Sequence, residues 1–91
     1  MEIYRQGDVV LRPVAGIPAD AERCGDRIEV ASETGNRHVI QGAAYRQQEA
    51  QLIMLDMDTP LEHPEHETIV IPKGAYEVAT VRSYVPVQNM D

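Results

Sequence analysis

The sequence predicts an all-β fold, a small single-domain barrel or sandwich of short, mainly antiparallel strands. Three observations carry that reading. Apolar residues, many of them β-branched, come in short runs. Gly and Pro punctuate the runs at regular spacing. No stretch sustains the 3.6-residue apolar period of an amphipathic helix.

Taken in order, Asp8–Arg12 reads as a strand preceded by Gly7 and closed by Pro13. Val14 to Arg27 reads as a loop, with at most one helical turn at Ala19–Arg23, too short to stand alone. Arg27–Ala31 alternates polar and apolar residues, as a half-buried strand does. Glu33-Thr34-Gly35-Asn36 marks a hairpin turn, because Gly and Asn tolerate positive φ. His38–Ile40 is the return strand, ended by Gly42, and Ala43–Gln47 is another short strand. The helix formers between Tyr45 and Leu55 are read as a hairpin turn instead. Leu52–Leu55 is a continuous apolar run suited to a strand buried on both faces. Pro60 and Pro64 punctuate the next segment. Thr68–Ile71 is a strand, Pro72-Lys73-Gly74 a turn, and Ala75–Val85 the closing strand. Residues 1–85 thus form one β domain, and residues 86–91 a flexible C-terminal tail.

Composition narrows the function classes. The 91 residues allow one modest core. With no Phe or Trp, that core rests on aliphatic residues and the four Tyr, and self-association is the expected remedy for so thin a core. A net charge of −7 argues against nucleic acid and against anionic membrane surfaces as partners. The single Cys24 cannot make an internal disulfide and reads as an inert loop thiol, which fits a reducing cytoplasm. The N-terminal residues carry charge from Glu2 onward and show no leader-like apolar run. No Gly-rich phosphate loop, nucleophile elbow, CxxC or HExxH occurs, so no catalytic residue is named.

Chemistry is densest from Asp56 to Glu67, where carboxylates and two histidines lie in a stretch free of Lys and Arg. Such a run is ordinarily a solvated surface, but like charges this close also favour a cation. A turn at Pro64 brings the Cα atoms of His63 and His66 within about 7 Å. His38, at a strand start, is placed to join them. Three imidazoles with a carboxylate from Glu67 or Glu65 would suit a divalent transition metal such as Zn.

The motifs Gln6-Gly7-Asp8-Val9-Val10-Leu11, Thr34-Gly35-Asn36-Arg37-His38, His63-Pro64-Glu65-His66, Ile71-Pro72-Lys73-Gly74-Ala75-Tyr76-Glu77-Val78 and Arg82-Ser83-Tyr84 occur in that order. In this the chain resembles a family of small uncharacterised bacterial and phage-associated β-rich proteins. The resemblance implies a fold and a site location, not an activity. Asn36 stands where the family pattern often shows a first histidine, and it is a weaker ligand for borderline metals. Two functions compete. One is a metal-binding β domain using His38, His63, His66 and Glu67. The other is a non-catalytic interaction or oligomerisation module, such as an accessory protein of a mobile element, with a protein partner or a second copy.

Overall fold

A computed structural model describes residues 2–32 and 35–80. The elements are β1 (Tyr4–Gln6), β2 (Val9–Val14), β3 (Glu22–Ala31), β4 (Arg37–Gln47), β5 (Ala50–Leu55), β6 (Thr59–His63), β7 (His66–Ile71) and β8 (Gly74–Thr80). All pairings are antiparallel, in the order β1-β2-β8-β5-β4-β6-β7, with β3 added to β4. The sheet curls into a nearly closed barrel. Its first and last strands meet where the Gln6 side chain donates to the Glu67 main-chain carbonyl at 2.9 Å. The described residues contain no helix, hence none long and apolar enough to cross a membrane.

Alternation builds the core. Val9 and Leu11 of β2, Ile53 and Leu55 of β5, Leu61 of β6, and Tyr76 and Val78 of β8 all point inward. Tyr76 is the one aromatic ring of the core cluster, and its hydroxyl donates to the Pro72 carbonyl at 2.8 Å, which satisfies its polar end. Tyr4 packs edge-on against it at 6.1 Å between centroids.

Several elements differ from the sequence reading. Pro13 does not close β2 but lies within it, opposite Tyr76. Because β1 covers only Val9–Leu11, no ladder needs the missing N–H on that side. Pro60 sits inside β6 for the same reason, since β4 pairs β6 only at Leu61 and Glu62. β3 begins at Glu22, inside the expected loop. It pairs only with β4, and from Glu22 to Asp26 it is largely exposed and gave no apolar alternation, whereas Arg27–Ala31, with Ile28 buried, is the alternating strand expected.

Gly42 does not end a strand. It carries β4 through at φ 153°, and an added Cβ there would lie 2.8 Å from the Leu55 side chain, so only Gly permits this close crossing. Leu52–Leu55 is not buried throughout, because Met54 faces outward at 37% exposure. Ala19–Arg23 contains no helix, only a turn closed by Ala21 N–H donating to the Pro18 carbonyl. The Tyr45–Leu55 segment is the hairpin turn expected, with Gln48 at φ 55°. The closing strand beyond Thr80, the tail 86–91 and the turn residues Glu33 and Thr34 lie outside the described residues.

Candidate functional site

The three histidines come together at the junction of β1 and β7. His63 and His66 face each other across the β6–β7 hairpin, with Pro64 and Glu65 forming the turn. His38, one residue into β4, reaches the same place from behind. Ring centroids lie 4.3 Å apart for His38–His63, 4.6 Å for His63–His66 and 5.7 Å for His38–His66. His38 and His63 are buried, at 0% and 5% exposure, whereas His66 is exposed.

Hydrogen bonds fix the tautomers. The Gln6 amide nitrogen donates to the carbonyls of Leu61 at 2.8 Å and Glu67 at 2.9 Å. These oxygens only accept, so the amide orientation is settled and Gln6 Oε1 must be an acceptor. His38 Nδ1, 2.9 Å from that oxygen, therefore carries the proton. In neutral His38 the lone pair then falls on Nε2, which lies 3.2 Å from Asp8 Oδ1. Burial, then the neighbouring His63 and more weakly His66, push the His38 pKa down, while Asp8 opposes them. The site thus sets two electron-pair donors face to face, and only a proton or another cation between them makes the contact favourable.

His63 is held differently. Its Nδ1 accepts the Glu65 backbone N–H at 3.0 Å, so in the neutral ring Nε2 carries the proton and donates to Ser32 Oγ at 3.3 Å. Both nitrogens are engaged by protein groups. His66 stands over the β1–β2 turn, where Gly7 adopts φ 59° and a Cβ would lie 2.7 Å from His66 Nε2. Gly7 serves both the turn and the ring.

The carboxylate that meets the histidines is Asp8, 30 residues before His38. Glu67 is exposed and enters the site through its main-chain carbonyl; Glu65 enters through its main-chain N–H. Asn36 supports the turn, its carbonyl accepting Ser32 N–H at 2.8 Å. Sequence reasoning did not single out Gln6 or Asp8, although both stand in the Gln6-Gly7-Asp8 motif that it quoted. As the side chains stand, no three His, Cys, Asp or Glu groups among the described residues are gathered to hold a metal. An open groove of about 620 Å³ lies elsewhere, lined by residues such as Arg46, Gln51 and Glu77, and none of its lining residues belongs to the cluster.

Residues 5–81 match a family described as a domain of unknown function (DUF8820), and the chain belongs to that family. This agrees with its resemblance to an uncharacterised family. No curated protein and no solved structure matches it.

Proposed function

We propose that this DUF8820 domain binds a divalent transition metal at the β1–β7 junction, through His38 Nε2, Asp8 and His66, with His63 walling the site. The observation that supports this is the His38–Asp8 contact at 3.2 Å, where Gln6 has placed the free lone pair of a buried imidazole against a carboxylate. A ligating histidine ordinarily has its other nitrogen donating to such a partner, which orients the ring. A proton on Nε2 would also satisfy the pair, but burial disfavours the charged imidazole.

His66 completes the set by turning its exposed ring inward over Gly7. Imidazole and carboxylate donors suit Zn, Fe, Mn or Ni. The metal would tie the β1–β2 turn to β4 and β7, so its first effect is on the domain's stability.

Isothermal titration calorimetry with Zn²⁺ and Ni²⁺ at neutral pH tests the reading. Binding is expected, weakened roughly 10- to 100-fold in Asp8→Asn or His66→Ala and far less in Asn36→Ala. No binding by the folded wild-type protein would overturn it.

A further inference from the structure

We infer that the open end of the barrel beside the β4–β5 turn is a binding site for a small amphiphilic carboxylate, with Arg46 and Gln51 holding its head group. The strand register places both side chains. Arg46 lies opposite Gln51, Gln51 opposite Val78, and Val78 opposite Leu11. Residues directly opposite one another share a face of the sheet. Leu11 and Val78 belong to the core, so Gln51 and Arg46 face the barrel interior. Alternation along each strand agrees, because Ala44 and Ile53, two residues further from the turn, are core residues as well.

A cation and an amide on this face do nothing for the core beneath them. Among the described residues neither side chain makes an ion pair or a side-chain hydrogen bond. Both line the open groove of about 620 Å³, a volume in the range of small-molecule sites. Val30 and Val78 supply its apolar wall. A few polar donors above apolar walls, at the mouth of a barrel, are the usual form of such a site.

The donors select the ligand. Arg46 offers a planar fork of N–H groups that matches a carboxylate, and the Gln51 amide donates one more hydrogen bond. Val30 and Val78 favour a short alkyl chain behind that head group. The neighbouring carboxylates oppose this only weakly. Glu77 is already paired with Arg12. Glu22, opposite Arg46 across the β3–β4 ladder, makes no ion pair with it and is exposed, so its competition for Arg46 contributes little. Glu49 is exposed on the turn, where solvent and salt weaken its field.

The test is an NMR titration of the full chain, metal-free, with octanoate, and with acetate, inorganic phosphate and octan-1-ol for comparison. Octanoate is expected to bind with a Kd on the order of 1 mM or tighter, and to shift the amide resonances of Arg46, Gln51 and Val78 most. Acetate and phosphate lack the alkyl chain and octan-1-ol lacks the charge, so each should bind roughly tenfold more weakly. Arg46→Gln alters an exposed side chain, so it should keep the β circular dichroism and weaken octanoate roughly tenfold. Should that variant fail to fold, Gln51→Glu decides, because it sets a like charge at the head group and should weaken octanoate at least about tenfold. Absence of octanoate binding, as when residues 81–91 of the chain itself fill the mouth, would overturn the proposal. So would resonance shifts centred elsewhere, a comparison compound that binds as tightly, or variants that bind octanoate as the wild type does. None of the lining residues belongs to the histidine cluster, so failure of the metal site would leave this result unchanged.

Discussion

The barrel is held together in two ways on its two sides. Along β2, β8 and β5 the backbone ladder is continuous, with Val9 to Val14 matched to β8 residue by residue and Gln51 to Leu55 matched to it from the other side. Beneath that wall lie Leu11, Ile53 and Val78. Between β1 and β7 the described residues show no ladder at all, and a single Gln6 side chain ties the two strands. The wall needs only apolar burial and main-chain pairing. The seam needs specific polar atoms, and its buried donors and acceptors must be completed by side chains. Chemistry gathers at the seam for that reason: Gln6 closes it, and its remaining oxygen sets the tautomer of His38.

The largest expected effect comes from cutting the seam. Gln6→Leu keeps a side chain of similar bulk but orphans the Leu61 and Glu67 carbonyls and the His38 Nδ1–H. At roughly 1–3 kcal/mol for each unsatisfied buried group, partly relieved by water, the loss should be about 4 kcal/mol. Denaturant unfolding measures it. A loss below about 1 kcal/mol would show that the seam is not held by these bonds.

The wall should break differently. Ile53 is fully buried, and Ile53→Ala removes its contacts and leaves a cavity, at a cost of about 3 kcal/mol. The His38–Asp8 pair should be untouched, so the histidine proton resonances should titrate as in the wild type. Histidine titrations displaced in Ile53→Ala would show that wall and seam are coupled.

The two sides also differed in how far the sequence revealed them. The wall announces itself in the apolar runs Val9-Val10-Leu11 and Leu52-Ile53-Met54-Leu55 and in the alternation after Gly74, because strands over a core need apolar residues on the face that covers it. β1 and the first half of β3 escaped notice. The former is three residues long, and the latter, from Glu22 to Asp26, has no buried residue to betray it. At the site, the Pro64 turn made the His63–His66 pairing legible, since it is local. That Asp8 reaches His38 depends on β1 and β7 meeting across the whole chain, and neither composition nor spacing records that closure. Glu67 stood out by its charge, but what it brings to the seam is a main-chain carbonyl, which any residue would supply.

A smaller effect on stability, but a sharp one on the site, is expected at Gly7. Its φ of 59° costs a residue with a Cβ about 1–2 kcal/mol. The added methyl would also lie 2.7 Å from His66 Nε2. His66 is exposed, so its ring can move away, and that movement limits the folding cost while removing His66 from the cluster. Gly7→Ala should therefore unfold only slightly earlier in denaturant yet lose much of the Zn²⁺ heat seen with the wild type. Unchanged calorimetry in a folded Gly7→Ala protein would remove His66 from the ligand set.

The smallest expected effect is the seam's response to acid, which the wall should lack. Burial lowers the His38 pKa below its ordinary 6.5, so the native state resists a proton that the unfolded chain accepts. Between the lowered native value and the ordinary one, the unfolded chain carries more protons, and stability there rises with pH. This contribution is complete above about pH 6.5. It falls as the solution is acidified through that window and is constant again below the native value. His63 adds to the downward shift and His66 adds less, while Asp8 works against both. Removing the imidazole should flatten this part of the profile. Thermal midpoints of the metal-free wild type should drop from pH 7.5 toward pH 5, and those of His38→Gln should drop less over the same range. Carboxylates elsewhere contribute equally to both proteins, so the difference between the two slopes reports His38 together with its coupling to Asp8, His63 and His66. Parallel slopes would mean that His38 takes up its proton as readily in the folded state as in the unfolded one. The pair with Asp8 would then be satisfied by a proton alone, and the case for a metal at the seam would lose its main support.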